Sequence, residues 1–239
     1  MITPKQIEEK TMSQAKRAEA KASIWGFYIG RPITYVLTIP FLYTNISPNA
    51  ITVVSIVFVM AAYYMFSTAT TIGGGLIGLL FLFLWSMFDG VDGNVARYKG
   101  LKSKSGDILD TLGGYLAIVV VFLGMGSLAF HDTQSNIYIS KEFIIEMSGL
   151  SASVSLIPRI LMHRQMASKK NEEGAEALQN KSSYNLPKMV ALNLCDPAGF
   201  QEHVILIAIL LHLEAEFTLG YLLLNTAVMI YSIYQMIKK

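Results

Sequence analysis

From Pro32 to Phe88 the chain carries no charged residue. One bilayer crossing needs about 20 residues, so this run is too long for a single span. The polar patch STATT at 67–71 divides it and predicts helices near 50–67 and 72–88. Further apolar runs cover 111–130, with a polar lead-in reaching back to 106, then 142–162, a short 199–213, and 217–237. The pattern predicts an all-α, polytopic membrane protein with six transmembrane helices. Ahead of them, RPITYVLTIPFLY at 31–43 is apolar but short and carries Pro32 and Pro40. It reads as a short juxtamembrane element, re-entrant or interfacial. In segment 3–24, Thr3 is placed to cap, Pro4 suits the first helical position and Gln6 completes a capping box. A thin stripe of Ile7, Ala15, Ala18, Ala22 and Trp25 beside basic positions predicts an N-terminal amphipathic helix on the membrane surface. The expected division is 1–48, cytoplasmic and interfacial, followed by a membrane domain over 49–239.

Composition agrees with that class. Hydrophobic residues make up 53% and charged residues 15% of the 239, against about 25% charged in a soluble domain. A net charge of +2 gives no electrostatic basis for binding nucleic acid. The single cysteine, Cys195, excludes an internal disulfide and argues against a thiolate metal site. No cleaved signal peptide is expected at the charged N-terminus.

The placement of Lys and Arg fixes an orientation. With six spans, six basic residues up to Arg31, four in the 93–105 loop, six between 159 and 198, and Lys238 and Lys239 fall on one side. The other side receives only Lys141. By the positive-inside rule both termini and the 93–105 loop face the cytoplasm, and the cell membrane is the expected location. A seven-span path would scatter the basic residues over both faces. The polar stretch 168–183 reads as a cytoplasmic loop without a chemical motif.

The chemistry lies in FDGVDGNVARYKGLKSKSGDILDTLGG, residues 88–114. Asp89 and Asp92 are three apart at the cytoplasmic end of one predicted span, so they share a helix face. Asp107 and Asp110 repeat that spacing at the start of the next. Carboxylates gathered at a membrane face repel one another unless a cation neutralises them, and oxygen donors suit a hard cation such as Mg²⁺ or Mn²⁺. Pairing with Arg97 and the nearby lysines is the competing account. Gly93, Ala96 and Gly106 put small residues beside the acids, where a ligand or a helix can approach the backbone.

Written out, Asp89-x2-Asp92-Gly93-x2-Ala96-Arg97-x8-Gly106-x3-Asp110 resembles the signature of the CDP-alcohol phosphotransferase (CDP-alcohol phosphatidyltransferase) family. That signature is D-x2-D-G-x2-A-R-x8-G-x3-D-x3-D. ISPNAIT at 46–52 resembles the segment that opens the family's first span. The resemblance implies six transmembrane helices, an N-terminal surface helix, a cytoplasmic active site and a homodimer. It implies transfer of a phosphoalcohol unit from a CDP-alcohol donor to a hydroxyl acceptor, with release of CMP and use of two divalent metals. By the same carry-over, Asp89, Asp92 and Asp110 are metal ligands, with Asp107 as an extra candidate. Gly93, Ala96 and Gly106 border the cytidine, with Asn49, Thr52, Asp92 and Arg97 nearby. A guanidinium also suits phosphate on its own chemistry.

The family's fourth aspartate, its proposed general base, falls at Gly114. An active enzyme then needs a substitute: Asp107 shares the helix face, and Asp196, Glu202 and His203 are further candidates. A catalytically impaired relative that still binds CDP-alcohol and metal, or an introduced glycine, are the other readings. The acceptor is open between a lipid, a lipid-linked glycan and a small polar alcohol, in phospholipid or surface-glycan synthesis. The 30–52 opening resembles members that use polar CDP-alcohols. Arg31, Arg159 and Arg164 are candidate contacts for an anionic acceptor, or anchors that snorkel to the interface. A cation transporter is disfavoured: no polar trail leaves the acidic cluster, and no paired broken helices occur in two similar halves.

Overall fold

The computed structural model describes residues 2–13, 17, 20–134, 139–168 and 193–238. Among the described residues its regular structure is helical, with no strand: α1 (Pro4–Thr11), α2 (Arg31–Leu42), α3 (Pro48–Thr68), α4 (Ile72–Lys99), α5 (Lys104–His131), α6 (Lys141–Ser168), α7 (Gln201–Leu211) and α8 (Glu214–Ile237). Five of them are long and apolar enough to cross a membrane: α3, α4, α5, α8 and the Lys141–Leu161 part of α6. Large apolar side chains such as Val53, Val57, Met60, Leu223 and Ile230 are exposed along them. Single exposed apolar residues are ordinary in a soluble protein, but whole helices of them require lipid. The chain is a membrane protein. The span expected at 199–213 is α7, whose 11 residues rise about 17 Å, well short of a hydrocarbon core of roughly 30 Å. The loop expected at 168–183 lies outside the described residues apart from Ser168.

The chain forms two compact units. The first comprises 1–61, 80–117 and 181–201. The predicted capping box is present: the Thr3 hydroxyl accepts from the Gln6 amide and the Gln6 side chain accepts from Thr3. The helix is shorter than the expected 3–24, however. Met12 is extended and closes α1 after eight residues. Ile7 and Thr11 are buried where α1 packs on α2; of the expected stripe, Ala15 and Ala18 lie outside the described residues. The Ile2 amide donates to the Tyr43 hydroxyl (2.8 Å), and Lys10 lies over the Tyr98 ring.

A π-helical turn, Gly26–Gly30, leads into α2. Its 12 residues are too few to cross, in keeping with a juxtamembrane element. Thr34, Tyr35 and Thr38 form its buried face. Thr34 lies against Gly90 of α4; a Cβ there would sit 2.6 Å from Thr34 Cγ2, so only glycine permits this approach. Phe41, Leu42 and Phe88 pack on a core of Ile51, Val91 and Val95, which joins α2, α3 and α4. Lys99 donates to the carbonyls of Phe41 and Thr44. Gly100, with φ +70°, ends α4, and the Leu101 amide reaches back to the Ala96 carbonyl at 2.9 Å. This is a Schellman stop.

The second unit comprises 62–79, 118–180 and 202–239. Here α6 packs along α8. Ala129, Ile144 and Ala215 form a core with Leu219 against it. The rings of Phe122, Phe217 and Tyr221 cluster, with 4.4 Å between the centroids of the last two.

Candidate metal and donor site

The site is built within the first unit. Asp89 and Asp92 project from α4, and Asp110 from the second turn of α5. One carboxylate oxygen from each lies within 4.8 Å of the others. At that separation each ionised pair repels by on the order of 3 kcal/mol at an effective dielectric of 20, less where Asp110 meets solvent. The donors are all oxygen and all anionic, which fits a hard divalent cation. Asp107 is exposed and stands outside this group.

The surrounding residues hold the carboxylates in place. Asp92 is 4% exposed and accepts a hydrogen bond from the buried Thr52 hydroxyl of α3. Asn49, at the start of the same helix, donates to the Ser105 hydroxyl (3.3 Å). Ser103 caps α5 by accepting from the Gly106 amide (3.0 Å). A Cβ on Gly106 would lie 2.9 Å from Asn49 Oδ1. Gly106 is thus the contact between the starts of α3 and α5.

Arg97 folds back over Gly93, whose added Cβ would lie 3.0 Å from both terminal guanidinium nitrogens. The guanidinium donates to Asn94 Oδ1 (3.0 Å), and the Asn94 amide donates to the Thr38 hydroxyl (3.2 Å). The Thr38 hydroxyl donates to the Thr34 carbonyl (2.6 Å). Asn94 is 3% exposed, so this relay is shielded from water and fixes Arg97 to α2. Arg31, Tyr35, Asp92 and Asp110 all lie within electrostatic reach of Arg97. The buried Tyr35 hydroxyl has no hydrogen-bond partner. Two guanidiniums, an uncommitted hydroxyl and three carboxylates therefore share one neighbourhood. Sequence reasoning missed Asn94, Thr38 and Tyr35. Asn94 occupies an unspecified position of the signature, among polar and charged neighbours that give it no distinguishing cue.

The remaining candidates divide. Ala96 is half-buried on α4. Asp196 is within electrostatic reach of Asp89. Arg159, Arg164, Glu202 and His203 belong to the second unit. Gly113 is buried and packs near Ile56 and Trp85, as a small residue at a helix contact should. Gly114 is half-buried, and an added Cβ would meet nothing within 4 Å. The space for a side chain there is open.

A family model described as CDP-alcohol phosphatidyltransferase matches residues 45–233. Comparison with curated proteins returned no significant match.

Proposed function

The chain belongs to the CDP-alcohol phosphatidyltransferase family, and on that premise we propose that it transfers a phosphoalcohol unit from a CDP-alcohol to a hydroxyl acceptor and releases CMP. The observation that carries this reading is the convergence of Asp89, Asp92 and Asp110, with Asp92 oriented by Thr52. In this reading the three carboxylates hold Mg²⁺ or Mn²⁺. The chemistry supplied by a bound pair of such ions is neutralisation and polarisation of the donor's pyrophosphate.

The protein's own residues do the rest. Arg97, fixed by Asn94, presents a guanidinium to donor phosphate, and Arg31 adds positive charge beside it. Asn49, Thr52, Gly93, Ala96 and Gly106 border the cytidine. The acceptor oxygen forms a bond to the donor's distal phosphorus as the anhydride bond to CMP breaks. The acceptor's proton has no carboxylate at position 114 to receive it, which leaves Asp110 and Asp196 as the acids near the site. The missing carboxylate at Gly114 motivates a second reading, in which the chain binds donor and metal but transfers slowly.

The same proposal covers residues 49–239 as the catalytic membrane domain, α7 as part of a sixth crossing, both termini and the site at the cytoplasmic face, and a homodimer. The acceptor is a lipid, a lipid-linked glycan or a small polar alcohol. Purified protein tested for CMP release against a panel of CDP-alcohols and acceptors decides the matter. Metal-dependent CMP release that disappears in Asp89→Asn supports transfer. Donor binding without release supports the second reading, and neither binding nor release overturns both.

A further inference from the structure

The second unit carries a side-chain cluster for which the transferase chemistry has no use. Asp132 directly follows α5, His212 lies in the turn between α7 and α8, and Glu214 is the first residue of α8. One ligand atom from each lies within 4.8 Å of the others. His212 Nδ1 is 3.0 Å from Asp132 Oδ1. The Asp132 side chain is 8% exposed, and its second oxygen is buried without a hydrogen-bond partner. Glu214 is 5% exposed, and its Oε2 is likewise buried without a partner. Two shielded carboxylates of one cluster each keep an unsatisfied oxygen.

Such oxygens are costly, and an ion is one of the few things that removes the cost. The neighbouring charges do not. Lys141 donates to the backbone carbonyl of Asp132 (2.8 Å). His131 Nδ1 is engaged with the Ser127 carbonyl. Glu216, on the first turn of α8, adds another buried, unpartnered oxygen. The backbone is also committed to the arrangement. His212 has φ +56°, the one non-glycine with positive φ among the described residues. That left-handed turn accompanies the His212–Asp132 contact.

We propose that Asp132, His212 and Glu214 form a transition-metal site, with Zn²⁺ the best-matched ion, which clamps the end of α5 to the α7–α8 turn. One imidazole and two carboxylates form a mixed nitrogen and oxygen set. Mg²⁺ and Ca²⁺ prefer oxygen alone, whereas imidazole suits Zn²⁺. Three protein ligands leave a fourth position for water. The ligands come from segments 80 residues apart, so binding closes a long loop and stabilises this unit. This site stands independently of the transferase reading.

The full-length protein in detergent tests it, with excess Mg²⁺ throughout to occupy oxygen-only sites. Zn²⁺ is added, unbound metal removed, and bound zinc counted by mass spectrometry alongside thermal unfolding. The expected result is a single zinc per chain and an unfolding midpoint raised by several degrees, reversed by a chelator selective for zinc over magnesium. Glu214→Gln and His212→Asn, the latter chosen because Asn tolerates a left-handed backbone, should each lose the zinc and the shift. Asp89→Asn should keep both. Zinc uptake that survives in Glu214→Gln and His212→Asn, or no uptake by the parent, overturns the site. If a variant does not fold, Co²⁺ bound to the parent decides. A visible absorption band displaced by Zn²⁺ supports a low-coordinate site with a nitrogen donor, and its absence refutes one.

Discussion

Restoring a carboxylate at position 114 is the sharpest test of the catalytic site. Position 114 lies one turn beyond Asp110 on α5, so the two side chains share a face. A Cβ at 114 meets nothing within 4 Å, so Gly114→Asp creates no clash. Removing a mid-helix glycine gains up to about 1 kcal/mol, and the modest helix propensity of aspartate returns most of it. Repulsion from Asp110 costs about 0.2–0.5 kcal/mol for a surface pair without metal. Folding stability should therefore change by less than about 1 kcal/mol. A general base contributes about 10²–10⁴ in rate, equivalent to roughly 3–5 kcal/mol of barrier. The catalytic effect thus exceeds the structural one several-fold. If the parent lacks a base, Gly114→Asp raises CMP-releasing turnover by about 10²–10⁴, with an unfolding midpoint close to the parent's. Turnover that stays level or falls, with donor and metal still bound, would refute the missing-base reasoning. It would direct attention to Asp196, the other acid near Asp89.

Other expectations follow from the same geometry. Asp89→Asn should abolish Mn²⁺-dependent binding of a CDP-alcohol, read by calorimetry; unchanged binding would remove Asp89 from the metal set. Thr52→Val deletes the hydroxyl that donates to buried Asp92, and loss of such a ligand-orienting bond should weaken Mn²⁺ affinity about 10–100-fold, measured by the spin-resonance signal of free Mn²⁺. Gly90→Val places a Cβ 2.6 Å from Thr34 Cγ2. It should cost about 1–3 kcal/mol by overpacking, seen as a lower thermal midpoint; an unchanged midpoint would mean that α2 shifts freely.

Much of the fold is legible in the sequence because lipid imposes a simple rule. Charge-free runs must be helices when the backbone has no water to bond, and α3 to α6 and α8 fall where those runs lie. The ends are less legible. Helix α5 begins at Lys104, two residues ahead of the polar lead-in expected from 106, because Ser103 caps it through polar residues that hydropathy alone assigns to a loop. Helix α8 begins with Glu214 and Glu216, acids favoured at a helix N-terminus but foreign to an apolar run. In the site, Asp89, Asp92 and Asp110 are readable from their spacing. The relay from Arg97 through Asn94 to Thr38 is not, since it joins residues 56 apart in sequence. No periodicity announces that Asp132 meets His212, 80 residues away. Such pairings are products of packing.

The Schellman stop at Gly100 and the Ser103 cap explain the eight residues that separate Arg97 from Gly106. They are filled by the end of α4, a left-handed reversal and the first turn of α5. The interval therefore works as a ruler, measuring the span between two carboxylate-bearing helices. Its length is constrained by geometry, and Gly100 and Ser103 by their parts in it, while the exposed Lys102 and Lys104 are free to drift. Evolution can rewrite those two lysines at little cost, but inserting or deleting a residue would move Asp110 out of register with Asp89 and Asp92.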